Sequence, residues 1–583
     1  MMQSGKRLRA MFPILLCVLT TLLVACGGGG SGSSGTKAPA NQQIFIYPQA
    51  GISDIKTFDP AMTTDVPSAT AIQMVFTGLV QLNDKLQVVD QMAASHSVAA
   101  DGTTWTFTLK PNLKFSDGKP LTSADVAYSI DRALDPALKS QVAPAYLNLV
   151  KDSAARNSGQ LSTLINDSLI TPNANTLVIK TSQKAAYFLD ALTYPDSYPV
   201  EKSMIQQYGN NFADHLAQGI GGDGPFKVSK YVHGKEIDFV PNTNYYGPKP
   251  QLSKVVMSFY QDADTEYKAF QNNQTDYATV PSTDIAQAKA LPNGQYHQVS
   301  TLIIDYIAMN YLEKPFDNIK VRQAFALALN KDEISSNIWK GTRVATNHIV
   351  PNGQPGYDTG LTGPDGSTST AGNKTLAKQL FQQGLQEDGL TLQTLGPITF
   401  TVSTGGSVGV SNEVATEQAM WQSTLGVKIT INDIDFNKYL DESSATLNNP
   451  HGLQMWHAGW SADYPDAQDW LTLQFDKNAQ NNTDNYGQNN SGDATTQQQM
   501  QGLMEQADQN LNPTSRLQQY NQAEQQLVKD VAWLPIDQRQ LPHVYKSCLA
   551  GFVDNPQDVE PPDDWGSIYM TTATPCANVS QYQ

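Results

Sequence analysis

The segment 398–435 places a helix between two strands, and this order limits the folds open to the chain. ITFTV at 398–402 predicts a strand, SNEVATEQAMWQSTL at 411–425 predicts a helix, and VKITINDID at 427–435 predicts a second strand. A strand, a helix and a strand in that order indicate a βαβ unit. We therefore expect an α/β lobe.

The first third of the chain has the same mixed character. In DGTTWTFTL, the residues Trp105, Phe107 and Leu109 alternate with threonine, which is the period-two pattern of a half-buried strand. LTSADVAYSIDRAL follows and predicts a helix, with Thr122 as its cap and Asp125 three residues later.

Three further capping patterns predict helices in the second half of the chain. Asp317 is expected to cap one helix, and Asn330 with Glu333 forms a capping-box pattern for the next. Asn512 followed by Pro513 predicts the start of another, because proline fits the first helical position. Strands and helices thus mix along the chain, and the sequence has no short-period repeat of solenoid or propeller type.

Length and charge narrow the possible classes of protein. The 583 residues are too many for one compact core, so we expect two or more lobes. The net charge of -17 argues against a nucleic-acid partner, because basic surface supplies most of the affinity for nucleic acids. The sequence has no H-E-x-x-H or C-x-x-C pair, and we expect neither a metal site nor a cofactor.

Residues 1–26 have the pattern of a secretory signal. A positively charged start precedes the apolar run MFPILLCVLTTLLVA, which is too short and wrongly flanked for a spanning helix. LVAC, ending at Cys26, resembles the bacterial lipobox, in which the cysteine is lipidated and becomes the mature N-terminus. The alternative is an ordinary signal peptide. The Gly- and Ser-rich residues 27–43 predict a flexible tether.

Two cysteines remain in the mature body, Cys548 and Cys576. In an oxidising compartment an even pair predicts a disulfide, which would hold the C-terminal tail. The alternative is two free thiols.

The stretch GWSADYPDAQDW at 459–470 raises a question about charge. It places Asp463 between Trp460 and Tyr464, with no Lys or Arg nearby in sequence. Either this is a surface loop with scattered acids, or the carboxylate awaits a cation that the chain does not supply.

Six stretches, taken in order, carry one resemblance. They are KTFDPAMTTDVPSATAIQMVFTGLVQLN at 56–83, DGTTWTFTLKPNLKFSDGKPLTSADVAYSIDRALDP at 101–136, GPFKVSKYVHGKEIDFVPNTNYYGPKP at 224–250, PFDNIKVRQAFALALNKDEI at 315–334, the GWSAD block at 459–463 and LPIDQRQLPHVYKSCLAGF at 534–552. The chain resembles the family 5 extracellular solute-binding proteins, which are the oligopeptide, dipeptide and nickel receptors of ABC importers.

The resemblance implies a bilobed α/β fold of the periplasmic-binding-protein type II class, with a hinge and a cleft between the lobes. Closure of the lobes around a ligand is the usual motion of such proteins. The implied division is lobe I at 44–83, 221–299 and 530–583, an extra domain inserted at 84–220, and lobe II at 300–529.

The resemblance also implies ligand-binding residues. In peptide-binding members the acid of the GWSAD block, here Asp463, holds the α-ammonium group of the ligand. The implied neighbours are Trp460, Ser461, Tyr464, His457, Thr64, Val66 and Tyr146. Two positions depart from the oligopeptide receptors: Thr64 stands where an acid can occur, and His457 stands where some members have an arginine. A neutral imidazole is a poorer clamp for a ligand carboxylate.

The function implied is that of a monomeric, extracytoplasmic lipoprotein without enzymatic activity, held at the bacterial membrane by its lipid anchor. It captures peptides and delivers them to the transmembrane subunits of an ABC permease. Receptors of this fold for chelated nickel or oligosaccharides are the alternative, with Trp456 and Trp460 available to stack on sugars. A remote alternative is a serine hydrolase, because GGSVG around Ser407 matches G-x-S-x-G between a predicted strand and helix.

Overall fold

A computed structural model describes residues 35–489, 491–557 and 559–583. The predicted signal segment, Cys26 and the first part of the predicted tether lie outside this range. Within the described residues, no helix combines the length and the apolar character needed to cross a membrane.

A seven-stranded sheet organises the second half of the chain. Its strands, in spatial order, are Tyr277–Thr279, Leu534–Tyr545, Tyr296–Met309, Met455–Ser461, Pro397–Val402 and Lys428–Asp433, and Arg343–Ala345 also pairs with Leu534–Tyr545. Pro397–Val402 and Lys428–Asp433 are parallel neighbours joined by the helix Val408–Leu425. The predicted βαβ unit is therefore confirmed.

Two strands of this sheet are unusually long and run side by side. Tyr296–Met309 and Leu534–Tyr545 pair antiparallel, from Tyr296 opposite Val544 to Ile307 opposite Leu534. The register shifts twice along the pair, which marks bulges or irregularities in an otherwise continuous ladder. We call these two segments the long strand pair.

Two further main sheets are built mostly from the first half of the chain. One contains Ile44–Ile46, Lys254–Tyr260, Glu236–Pro241 and Phe226–Val232, with Gln49–Ala50 beside Lys254–Tyr260. The other contains Ala93–Val98, Thr104–Leu109, Thr176–Lys180 and Leu169–Asn173. Small two-stranded pairs are Val80–Leu82 with Val88–Asp90, and Leu549–Ala550 with Tyr569–Met570.

Helices pack on these sheets and connect them. The α-helices are Val66–Val75, Ser123–Ala133, Ala143–Tyr146, Ser153–Asn157, Phe188–Ala191, Lys202–Tyr208, Ala263–Gln271, Ile285–Lys289, Ile319–Ala328, Lys331–Asn337, Lys374–Glu387, Leu392–Leu395, Val408–Leu425, Phe436–Ser444, Ala467–Trp470, Thr472–Phe475, Ala494–Gln509 and Pro513–Asp530. The 3-10 helices are Ala40–Gln42, Pro60–Met62, Pro195–Ser197, Gly209–Gln218, Pro292–Gly294, Asp564–Gly566 and Ser580–Tyr582.

Most predicted strand and capping signals are confirmed. Trp105 and its alternating partners are buried in Thr104–Leu109. Thr122 and Asp125 form the predicted capping box, and Asn512 caps Pro513–Asp530 with proline in its first turn.

The Asp317 prediction is wrong by one residue. Asn318 caps Ile319–Ala328 instead, because its side chain accepts a hydrogen bond from the Lys320 N–H. Asparagine has a short side chain with an amide oxygen, and it caps a helix as well as aspartate does.

The described N-terminus is held by the C-terminal segment. The Ala38 N–H donates to the Met570 carbonyl, and the Gln43 side chain bonds the backbone of both residues. Residues 35–43, which the sequence assigned to the tether, therefore contact the body. Cys548 and Cys576 are joined by a disulfide in the same region.

Candidate functional site

A cavity of about 570 Å³ lies where segments from distant parts of the chain meet. This volume falls within the range of small-ligand pockets, about 300–1,000 Å³. Six of the eight ligand-binding residues predicted from the sequence line it: Thr64, Val66, Tyr146, Trp460, Ser461 and Asp463.

Asp463 follows the strand Met455–Ser461, so the end of a rigid element sets its position. Its carboxylate accepts a hydrogen bond from the Tyr146 hydroxyl, and its backbone N–H donates to Oδ2 of Asp469 at 3.3 Å. Removal from water raises the pKa of Asp463 to about 7, although the Tyr146 hydrogen bond acts in the opposite direction.

The surroundings of Asp463 are acidic. Asp196 and Asp469 are both buried, and desolvation together with the Asp463 charge raises the pKa of each well above its usual range. Neither carboxylate oxygen of Asp196 has a hydrogen-bond partner among the described residues. Among those residues, no Lys, Arg or His side chain forms an ion pair with Asp463. A cation entering the cavity would therefore relieve a buried negative charge.

Aromatic rings form the wall next to the carboxylate. Tyr146 stacks on Tyr194 with ring centroids 4.1 Å apart, and the Tyr194 hydroxyl donates to the Thr63 carbonyl. Trp460 is half-buried, and its Nε1–H donates to Oδ2 of Asp469 at 3.2 Å. These contacts fix the orientation of the rings around the acid.

Thr64 and Val66 lie at the exposed rim of the cavity. The residue between them, Asp65, is extended and caps the helix Val66–Val75 by accepting from the Ser68 N–H. Within the described part of the chain, the backbone N–H and carbonyl of Thr64 have no hydrogen-bond partner. An extended backbone with free polar groups is thus available at the rim.

Two of the predicted residues lie away from the cavity wall. Tyr464 is buried, and its hydroxyl donates to Oε1 of Gln468. His457 Nε2 lies 3.9 Å from Oε2 of Glu413. The nearby carboxylate disfavours binding of a ligand carboxylate by this imidazole. Trp456 is buried in the core, so it is not available to stack on a sugar.

Three residues of the candidate site were not predicted from the sequence: Tyr194, which lines the cavity, and Asp196 and Asp469, which interact electrostatically with Asp463. Asp469 lies in the stretch 459–470 with Asp463, so the sequence already indicated that the two acids are close together. Tyr194 and Asp196 lie in TYPDS, far from any recognised block. Only the fold brings this segment to the cavity.

Ser407 occupies a helix terminus. It is the N-cap of Val408–Leu425, with an ordinary φ of -65°, and its Oγ accepts from the Val410 N–H. Gly405 and Gly406, just before it, carry the positive φ angles of the turn. The G-x-S-x-G pattern is therefore accounted for by a turn followed by a capped helix.

Comparisons with known proteins agree with this architecture. The oligopeptide-binding protein OppA of Bacillus subtilis is 27% identical over 484 residues, covering 80% of this chain and 84% of that protein. The dipeptide-binding protein DppE of the same species is 25% identical over 565 residues, covering 94% and 98%. The structure of the Escherichia coli murein tripeptide binding protein MppA superposes with a TM-score of 0.75 at 23% identity, covering 91% and 98%.

The likeness to MppA identifies the fold as the bilobed α/β fold of the periplasmic binding proteins. The family model described as bacterial extracellular solute-binding proteins, family 5 middle, matches residues 87–482, more than half of the chain. The chain belongs to the family 5 bacterial extracellular solute-binding proteins.

Proposed function

We propose that this protein captures peptides in the cavity around Asp463 and delivers them to the permease of an ABC importer. The observation that carries the proposal is the Asp463 carboxylate at the cavity wall, with a phenol as hydrogen-bond donor and no cation paired to it among the described residues. The oligopeptide- and dipeptide-binding relatives support the same ligand class.

The α-ammonium of a peptide suits this acid. A free α-amine is cationic near neutral pH, and a charge-assisted hydrogen bond to a carboxylate is about twice as strong as a neutral one. Trp460 and Tyr146 keep water from the pair, and an aromatic face attracts a cation in addition. Affinity should therefore depend on the charge of the amine.

The rest of the peptide would be held through its backbone, as an added strand. The free backbone groups of Thr64, at the rim of the cavity, supply a place for such bonds. Main-chain hydrogen bonds do not depend on side-chain identity, so this mode would accept many sequences.

The long strand pair is the proposed hinge. These strands lie near residues 300 and 530, the two places where the chain would cross between the proposed lobes. Separate hydrophobic clusters around Phe239 and Phe325 support a division into lobes. Closure about such strands would enclose the peptide before delivery. A monomer is sufficient for this mechanism.

Attachment to the membrane would come from lipidation of Cys26 after removal of the signal segment. The lipobox-like LVAC and the Gly- and Ser-rich stretch after it support this part of the proposal. Mass spectrometry of the mature N-terminus tests it: a diacylglycerol-modified Cys26 is expected, and an unmodified cysteine or cleavage elsewhere would contradict it.

Native mass spectrometry of the purified full chain tests the ligand class directly. A retained peptide, released on denaturation, is the expected result. Calorimetric titration with peptide pools, cello-oligosaccharides and chelated nickel then separates the alternatives. Binding of a sugar or a nickel chelate with no binding of any peptide would overturn the proposal.

A further inference from the structure

The helix Val408–Leu425 carries two glutamates on the face that it turns to the core. Glu413 and Glu417 are four residues apart, so they lie on one side of the helix, and neither side chain is exposed to solvent. Apart from Thr424, the other buried residues of this helix are apolar and include Val414 and Trp421. Two acids thus occupy positions that a soluble helix normally fills with hydrophobic residues.

Hydrogen bonds do not explain how these two acids are tolerated in the core. None of the four carboxylate oxygens of Glu413 and Glu417 has a hydrogen-bond partner among the described residues. An ionised carboxylate in such a position carries a large desolvation cost unless a cation or several donors compensate it. Two adjacent carboxylates without a hydrogen-bond donor increase that cost further.

A histidine from the neighbouring strand completes the group. His457 lies on Met455–Ser461, and its Nε2 is 3.9 Å from Oε2 of Glu413. The same Nε2 lacks a hydrogen-bond partner within the part of the chain that the structure describes. One ligand atom from each of the three side chains lies within 4.8 Å of the others.

When all four acids near this group are ionised, they exceed the neighbouring guanidinium groups by two charges; burial raises the pKa of Glu417 and Asp537, which is the cost that a cation would remove. Asp305 is bonded by both Arg343 and Arg539, and Arg343 also lies 3.5 Å from Oδ1 of Asp537. Arg343 reaches Glu413 only at 3.7 Å. Four carboxylates, those of Asp305, Glu413, Glu417 and Asp537, therefore face two guanidinium groups. A divalent cation would balance this charge.

We propose that Glu413, Glu417 and His457 bind one divalent transition-metal ion, of which Zn²⁺ is the representative. Two carboxylates and one imidazole are a donor set that zinc accepts, with a fourth position left for water or another ligand. Zinc bonds of about 2.1 Å place tetrahedral ligands roughly 3.4 Å apart, so the side chains would move inward by a small amount. The His457 side chain is 12% exposed, which gives an ion access from solvent.

Zinc titration of the full chain tests the site. The protein, purified without a polyhistidine tag and stripped with EDTA, is titrated with ZnCl₂ in a calorimeter in the absence of peptide. One equivalent should bind. Glu417→Gln and His457→Ala should each weaken binding at least tenfold. Zinc should also raise the thermal midpoint of the wild type but not of Glu417→Gln.

Matched variants separate this site from other acids and histidines. Glu442→Gln removes an exposed acid, and His297→Ala breaks the other group of histidine and acid side chains, formed with His543 and Asp554. Both should retain full zinc affinity. Glu417→Gln keeps the side-chain volume and removes a buried charge, so its metal-free form should be at least as stable as the wild type. If Glu417→Gln does not fold, Glu413→Gln replaces it in the titration.

The proposal is overturned if the wild type binds no zinc, or if Glu417→Gln or His457→Ala binds it as well as the wild type does. Absence of zinc binding would mean that a proton on Glu417 and the Arg343 guanidinium near Glu413 compensate the two acids instead. Because the titration contains no peptide, its result does not depend on the function proposed above.

Discussion

The hydroxyl of Tyr146 donates a hydrogen bond to Oδ2 of Asp463, although 317 residues separate them in sequence. Tyr146 ends a short helix in the first third of the chain, and Asp463 follows a strand of the seven-stranded sheet. This contact joins the two sides of the cavity, together with the packing of Tyr464 on Tyr146 and Tyr187. It also leaves the second carboxylate oxygen of Asp463 available to a ligand.

Replacing Asp463 by asparagine should reduce the affinity for peptides with a free amine by at least about 30-fold. Removing one partner of a buried charge pair costs about 2–5 kcal/mol, and 2 kcal/mol corresponds to roughly that factor. Calorimetric titration of the variant and the wild type with the same peptide measures the change.

The matched ligand for this experiment is the N-acetylated peptide, which lacks the charge. Its affinity should change less than about threefold, because no ion pair is lost. Asp264→Asn, which removes an exposed acid on another helix, should alter neither affinity. Equal losses for the free and acetylated peptides would remove Asp463 from its proposed role.

The affinity for a free-amine peptide should depend on pH with a maximum between about pH 7 and 8. Asp463 has a pKa raised to about 7, so below that pH the carboxyl takes up a proton and affinity falls by up to tenfold per pH unit. Above about pH 8 the peptide α-amine loses its proton, and affinity falls again. Titrations with trialanine from pH 5 to pH 9 measure the profile.

Asp463→Asn should remove the acid side of this profile, since the amide does not titrate in that range. A wild-type profile that is flat between pH 5 and pH 7 would contradict the assignment of Asp463 as the titrating group.

Replacing Tyr146 by phenylalanine should weaken the same binding by about fivefold, the effect of one net hydrogen bond of about 1 kcal/mol. The hydroxyl stabilises the ionised form of Asp463, so the acid side of the pH profile should also move to higher pH. The shift separates this role from a loss of packing, which would lower affinity at every pH without moving the midpoint.

Replacing both Cys548 and Cys576 by serine should destabilise the C-terminal segment by about 3–4 kcal/mol. The disulfide joins residues with a sequence separation of 28. Without it the unfolded chain gains conformational entropy, and for a loop of this length the loss of stability is about 3–4 kcal/mol. Thermal unfolding should show a lower midpoint. Reductant should lower the wild-type midpoint to the same value and leave the variant unchanged; a wild type insensitive to reductant would contradict the prediction.

Replacing Ser407 by alanine should cost about 1 kcal/mol of stability, the usual effect of losing a helix N-cap. Peptide affinity should not change, because Ser407 does not line the cavity. A serine-directed fluorophosphonate probe should fail to label the wild type. Labelling that disappears in Ser407→Ala would instead support a hydrolase.

The elements of the fold could be predicted from local patterns. The alternation around Trp105, the capping box of Thr122 and the Asn512–Pro513 start each depend on residues within a few positions of one another. The boundary at Asp317 was missed by one residue because two capping-competent side chains stand next to each other there.

The candidate site could be predicted only in part. Asp463 and Trp460 stood in a recognisable block, whereas Tyr194 and Asp196 carried no local signal. The spacing of Glu413 and Glu417 is the same as that of charged residues on the exposed face of many helices. Nothing in the local sequence indicates that their side of the helix faces the core.

The sequence by itself determined the types of its elements and the family, and it predicted one acid of the candidate site, because these depend on short-range periodicity and on contiguous motifs. Only the tertiary structure decided which carboxylates are buried together and which of them lack a partner. Burial and charge compensation are set by segments hundreds of residues apart, and a one-dimensional pattern does not contain those distances.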